Sequence, residues 1–133
     1  MQMTWETALL AAGIAWVVMT PTLAVIRARR STGKPAPDTS VIPGNEDRGH
    51  GRWLYYFHAS HCGHCKAMTP VVRKLAQTHT NLLEISVDEH MPLARAFGIS
   101  ATPSLVVVED GVISQIKLGG KNEQQILTML TQK

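Results

Sequence analysis

The pattern of apolar and polar positions divides the chain into three stretches. From Ala8 to Ile26, nineteen residues run without a charge, as ALLAAGIAWVVMTPTLAVI. At about 1.5 Å per residue a helix of that length measures about 28 Å, close to a hydrocarbon core of roughly 30 Å. The run reads as a single transmembrane helix over residues 8–26, behind a short flank of residues 1–7. Trp5 stands where an interfacial ring would anchor it, and Pro21 is tolerated in a membrane helix, with a kink. A cleaved signal peptide would want a basic start and a shorter apolar core, whereas the first seven residues hold Glu6 and no Lys or Arg. From Ser31 to Gly49 the chain turns to STGKPAPDTSVIPGNEDRG, with three prolines, three glycines and no amphipathic face. Residues 27–50 therefore read as a basic juxtamembrane segment and flexible linker, able to hold a domain tens of ångströms off the bilayer at roughly 3 Å per residue.

Residues 51–133 alternate between strand and helix patterns. WLYYFH (53–58) is apolar throughout, as in a strand buried on both faces. Met68, Val71, Val72, Leu75 and Ala76 then recur at helical spacing, predicting a helix from about Cys62 to Thr78. Leu82 to Val87 is a second strand, and Pro92 opens a short helix carrying Leu93, Ala94 and Phe97 that Gly98 ends. SLVVVE (104–109) is a third strand, turned at Asp110-Gly111 into a fourth over Val112 to Leu118. Asn122 caps a last helix with Ile126, Leu127, Met129 and Leu130 inward. The order β-α-β-α-β-β-α predicts an α/β domain with a mixed sheet and helices on both faces.

Composition narrows the function. Aromatic residues are 5% of the chain, too few for a stacking platform on single-stranded nucleic acid. The net charge of +3 is local, since Arg27, Arg29, Arg30 and Lys34 lie together while residues 51–133 carry eight Lys/Arg against six Asp/Glu. No nucleic-acid partner is expected. The basic block follows the apolar run and nothing basic precedes it, so the charge rule places the N-terminus outside and the following domain in the cytoplasm.

The chemistry lies where the first strand meets the first long helix, at His61-Cys62-Gly63-His64-Cys65-Lys66, which contains the chain's two cysteines. At a helix N-terminus, Cys62 faces unpaired N–H groups and the positive end of the macrodipole, which favour a thiolate. Cys65, one turn later, is close enough to pair with it and more shielded. Cys62 can then attack a disulfide, Cys65 can resolve the mixed disulfide, and a charged His64 favours the thiolate further. Two other readings stay open at this point: a structural disulfide, and metal binding by His58, His61, Cys62, His64 and Cys65. A closed zinc site usually draws a second ligand pair, and no second Cys pair exists, so no metal is expected.

These residues resemble the thioredoxin superfamily, and CGHC is the form typical of protein disulfide isomerase domains. Pro70, eight residues after Cys62, matches the proline that kinks the family's active-site helix. Thr102-Pro103 matches its cis-proline, which helps hold an extended substrate strand, and Gly119 or Gly120 matches a frequent glycine at the end of the fourth strand. The resemblance covers roughly the last 80 residues and lacks the family's extra N-terminal strand and helix. It also departs at the site. Thioredoxins bury an aspartate six residues before the nucleophile, where this chain has Tyr56, and the neighbouring lysine aligns with Glu84. Glu84 is either a substitute for proton transfer or an unrelated carboxylate at the strand edge. His61 replaces the usual tryptophan beside the motif, and His58 another aromatic, which makes the surroundings more polar and pH-responsive.

Together with the apolar run, the resemblance implies a membrane-anchored thiol–disulfide oxidoreductase, of protein disulfide reductase or isomerase type, without an organic cofactor. Cys62, Cys65 and His64 would be catalytic, Thr102, Pro103 and His61 would bind substrate, and Glu84 with Tyr56 would serve proton transfer. Its partners would be protein thiols or disulfides and a redox protein that resets the pair. CGHC points to oxidising or isomerising members and so to the periplasm or another oxidising compartment, against the cytoplasmic placement by charge. The rival reading is a non-catalytic subunit docked into a larger membrane complex through small residues at Ala8, Ala11, Ala12 and Ala15.

Overall fold

A computed structural model describes residues 4–42 and 50–131. Helix α1 (Trp5–Ser31) contains the uncharged run and extends past it at both ends. Pro21 lies inside it and offers no N–H to the Val17 carbonyl. The Thr20 hydroxyl reaches that carbonyl at 3.5 Å, and the Thr22 hydroxyl donates to Val18 at 2.7 Å. Hydroxyls in this role let an apolar helix carry a proline. Leu10, Ile14 and Val17 are exposed. With a mean hydropathy of 2.1 over its most apolar window, α1 is long and apolar enough to cross a membrane, a property a signal sequence shares.

The remaining elements are β1 (Arg52–His58), α2 (Gly63–Ala76), β2 (Leu82–Ser86), α3 (Met91–Ala96), β3 (Ser104–Glu109), β4 (Val112–Leu118) and α4 (Glu123–Thr131). The sheet order is β2-β1-β3-β4, with β1 parallel to β2 and both other pairs antiparallel. Helix α2 is the crossover that a parallel pair requires. Asp110 and Gly111, at φ 49° and 79°, form the two-residue β3–β4 turn; two consecutive positive φ angles suit the twist of a hairpin.

Alternation along the strands builds two cores. Leu54, Tyr56, Leu82, Leu105 and Val107 pack under α2 and α4 with Met68, Val72, Leu75 and Ile126. Tyr55, Phe57, Ile85, Val106 and Val108 face the other way, against Leu93, Ala94 and Phe97 around α3. This is the thioredoxin-like mixed sheet with helices on both faces.

Between α1 and β1 the structure differs from the linker expectation. Gly33 N–H donates to Ile113 O at 2.7 Å, Ile113 N–H to Lys34 O at 3.0 Å, and Ala36 N–H to Gly111 O at 2.8 Å. Pro35 forms an antiparallel bridge with Val112, and Ile42 is buried in the α3-side core. This segment covers the outer edge of β4, whose backbone groups would otherwise lack partners. The last turns of α1 also lie on the domain, where Ala28 is buried. Over Gly33–Ile42 the chain is thus a strap on the domain, not a free tether. Proline and glycine content signals the absence of a helix, but does not exclude edge pairing. The rest of the expected linker before His50, residues 43–49, lies outside the described residues.

Candidate active site

Strand β1 ends at His58, and four residues later Cys62 stands as the N-cap of α2, with extended backbone at φ −118° and ψ 111°. That conformation turns its side chain back over the first helical turn, where Cys62 Sγ accepts the Cys65 N–H at 3.2 Å. The sulfur thus does the work of the oxygen in a Ser or Asp cap, and no acidic residue occupies the first turn of α2. Cys62 and Cys65 are disulfide-bonded, with Cα atoms 5.2 Å apart. Both are buried, Cys62 at 8% exposed and Cys65 at 3%, so Cys62 is the more exposed residue of the pair. His61 and His64 are exposed on either side of Cys62.

The loop entering α2 is pinned from the β2–α3 turn. Asp88 Oδ2 accepts the Ser60 hydroxyl at 2.7 Å and the Ser60 N–H at 2.8 Å. These bonds, the hydroxyl's first, hold the Asp88 carboxyl below its ordinary 3.8, with smaller help from charge on His61 and His58.

Beneath the cysteines lies Tyr56, fully buried. Its hydroxyl is 2.9 Å from Thr69 Oγ1 and donates to the Cys65 carbonyl at 3.4 Å. Burial raises the phenol above its ordinary 10.0, the Thr69 bond opposes this, and the negative charge of Glu84 adds to it. The Tyr56 ring stacks on His58 at 5.4 Å between centroids. Glu84 is the register partner of Tyr56 on β2. Arg73 grips it with two hydrogen bonds of 2.9 and 3.0 Å, and His58 Nε2 lies 3.0 Å from Glu84 Oε1. Glu84 is therefore part of an ion-paired group joining β1, β2 and α2.

The Thr102–Pro103 peptide is cis. Pro103 is buried, and its carbonyl accepts the Gly119 N–H at 3.0 Å. Ser104 pairs with Phe57, which puts Pro103 at the end of the sheet from which the Cys62 loop departs. The structure thus gathers Cys62, Cys65, His61, His64, Tyr56, Thr102 and Pro103 at one end of the sheet, with Glu84 behind Tyr56. Sequence reasoning did not find Thr69, Arg73 or Asp88. Thr69 sits four residues after Cys65 and was open to discovery from helical spacing; the other two depend on how loops and helices meet across β2.

Residues 46–132 match the family model described as Thioredoxin. The thioredoxin of Chlamydia caviae is 30% identical over 84 residues, covering 62% of this chain and 82% of that protein. Bacillus subtilis thioredoxin is 32% identical over 73 residues, covering 53% and 70%. Among solved structures, a mutant thioredoxin from Halobacterium salinarum aligns with a TM-score of 0.56 and 32% identity, over 61% of this chain and 73% of that one. Fasciola hepatica thioredoxin gives a TM-score of 0.56 and 26% identity, over 62% and 82%. Fold, paired cysteines at the start of α2 and these matches agree: this chain belongs to the thioredoxin family.

Proposed function

We propose that this chain is a membrane-anchored thiol–disulfide oxidoreductase acting on protein substrates from the cytoplasmic face. Thioredoxins are thiol–disulfide oxidoreductases, and the chain has their domain and a Cys62–Cys65 disulfide. The observation that carries the mechanism is the Cys65 N–H bonded to Cys62 Sγ at the N-terminus of α2. In the reduced protein the same N–H and the helix dipole favour a thiolate at Cys62.

That thiolate attacks one sulfur of a substrate disulfide. A Cys62–substrate bond forms, the substrate S–S bond breaks, and the second substrate sulfur leaves as a thiolate. Cys65, having lost its proton, then attacks Cys62 Sγ and expels the first substrate sulfur. Two electrons pass to the substrate, and the chain ends with the Cys62–Cys65 disulfide. A partner redox protein returns two electrons.

His64 supplies positive charge beside Cys62, and Thr102-Pro103 with His61 forms the edge where substrate backbone lies. Tyr56 steadies the turn carrying Cys65. Glu84, the register partner of Tyr56, assists proton transfer together with it. The anchor rests on the uncharged run of α1, and the orientation on the four Lys/Arg of residues 27–34 behind it.

Trapping tests the mechanism. Cys65→Ser should accumulate mixed disulfides through Cys62, and Cys62→Ser none. Mixed disulfides of equal yield in both variants would refute the assigned order of attack.

A further inference from the structure

The packing of α1 on the domain brings together three arginines that the redox chemistry does not use. Arg27 and Arg30, on one face of α1, and Arg95 on α3 line a single cleft of about 300 Å³, together with Ser31 and Ser100. At the cleft Gly98 lies against Ser31. A Cβ built at Gly98 would overlap Ser31 Oγ, and Gly98 has φ +77°, the left-handed region that favours glycine. The ion pairs among the described residues join Arg52 to Glu109, Arg73 and His58 to Glu84, and Lys74 to Glu123. None involves these three arginines, and among the described residues no carboxylate lines the cleft. Three arginines from two separate elements thus line one cleft without a described counter-charge. Their planar forks match the geometry of phosphate oxygens.

We propose that this cleft binds a phosphate-bearing anion, supplied by the headgroup of an anionic phospholipid. The lipid source rests on the membrane-anchor reading above and on the position of the cleft along α1. Arg27 follows the last residue of the uncharged run directly. At about 1.5 Å rise per residue, Arg27 to Arg30 lie about 1.5–6 Å beyond that run. A headgroup layer is roughly 5–8 Å deep on each side of the core, so the cleft opens at phosphate depth. Arg95 then ties the folded domain itself to the headgroup, which fixes the domain against the bilayer.

The test uses the full chain in a mild detergent, with lipid retention followed by native mass spectrometry. Phosphatidylglycerol should be retained at one molecule per chain and in preference to phosphatidylcholine. Arg95→Gln should weaken that retention about ten-fold, the scale of one lost charge-assisted hydrogen bond, and Arg95→Lys less. A second arm adds inorganic phosphate without lipid and follows amide exchange at Ser100. Protection in wild type that Arg95→Gln loses would support the site with a soluble phosphate as its source. Equal retention of both lipids together with no phosphate protection would overturn the proposal, as would unchanged binding in Arg95→Gln. Alkaline carbonate extraction of membranes tests the anchor separately: release of the chain would sink the lipid source, while the phosphate arm still decides the site.

Discussion

Replacing Cys62 by Ser and by Ala removes the same cross-link, but only Ala also removes the cap on α2. The cross-link joins positions three apart and closes a loop of about four residues, which by chain entropy is worth about 2 kcal/mol. The cap is the Cys65 N–H bond to Cys62 Sγ. Serine is among the preferred N-caps and should replace the sulfur, whereas alanine leaves that N–H unpartnered at a cost of about 1 kcal/mol. Against the oxidised protein, Cys62→Ser should therefore lose about 2 kcal/mol and Cys62→Ala about 3 kcal/mol. Against the reduced protein the cross-link contributes to neither side, so Ser should be near neutral and Ala should lose about 1 kcal/mol. For a domain of this size that gap is a melting difference of about 4–8 °C. Thermal unfolding of the full chain in mild detergent, with and without reductant, measures it. If Ser and Ala melt together under reductant, Cys62 does not cap α2. The argument for its thiolate would then lose its structural basis.

Three further outcomes follow from the geometry. Tyr56→Phe removes a buried hydroxyl shared between Thr69 and the Cys65 carbonyl, and should cost about 1 kcal/mol in denaturant unfolding with an unchanged m-value; no loss would mean the hydroxyl holds nothing. The Asp88 carboxyl is depressed in the folded state, so its contribution to stability is present above the ordinary 3.8 and is lost as pH falls through the lower folded value. Wild type should be more stable than Asp88→Asn at neutral pH and lose that advantage below this range, and a gap constant down to about pH 2 would contradict the Ser60 tether. Gly98→Ala combines a positive φ with overlap on Ser31, so it should speed amide exchange at Gly33 and Ala36, the strap N–H groups on β4, by about ten-fold or more; unchanged exchange would separate the strap from α1 docking.

Much of this was legible in the sequence because local rules carried it. Short continuous apolar runs marked β1 and β3, helical spacing marked α2, and Asp110-Gly111 marked a two-residue hairpin turn, where both φ angles are positive. CGHC at a strand-to-helix junction marked the site, since that position alone places a sulfur on a helix N-terminus. What escaped depends on contacts between distant segments. The grip of Arg73 and His58 on Glu84 joins residues from α2, β1 and β2 that no local pattern links. Asp88 is 28 residues from the Ser60 it holds, with no local signature for the pair. The stretch Gly33–Ile42 has the composition of a tether, and only the open edge of β4 explains why it lies down as a strap.

The central proposal is that the Cys62–Cys65 pair works as a reductant at the cytoplasmic face of a membrane. Its most direct test is the reduction potential of the full chain, strap included, equilibrated in glutathione buffers. The account predicts a value near thioredoxin's roughly −270 mV. A value near about −180 mV, as in protein disulfide isomerase, would contradict both the direction of electron flow and the cytoplasmic placement.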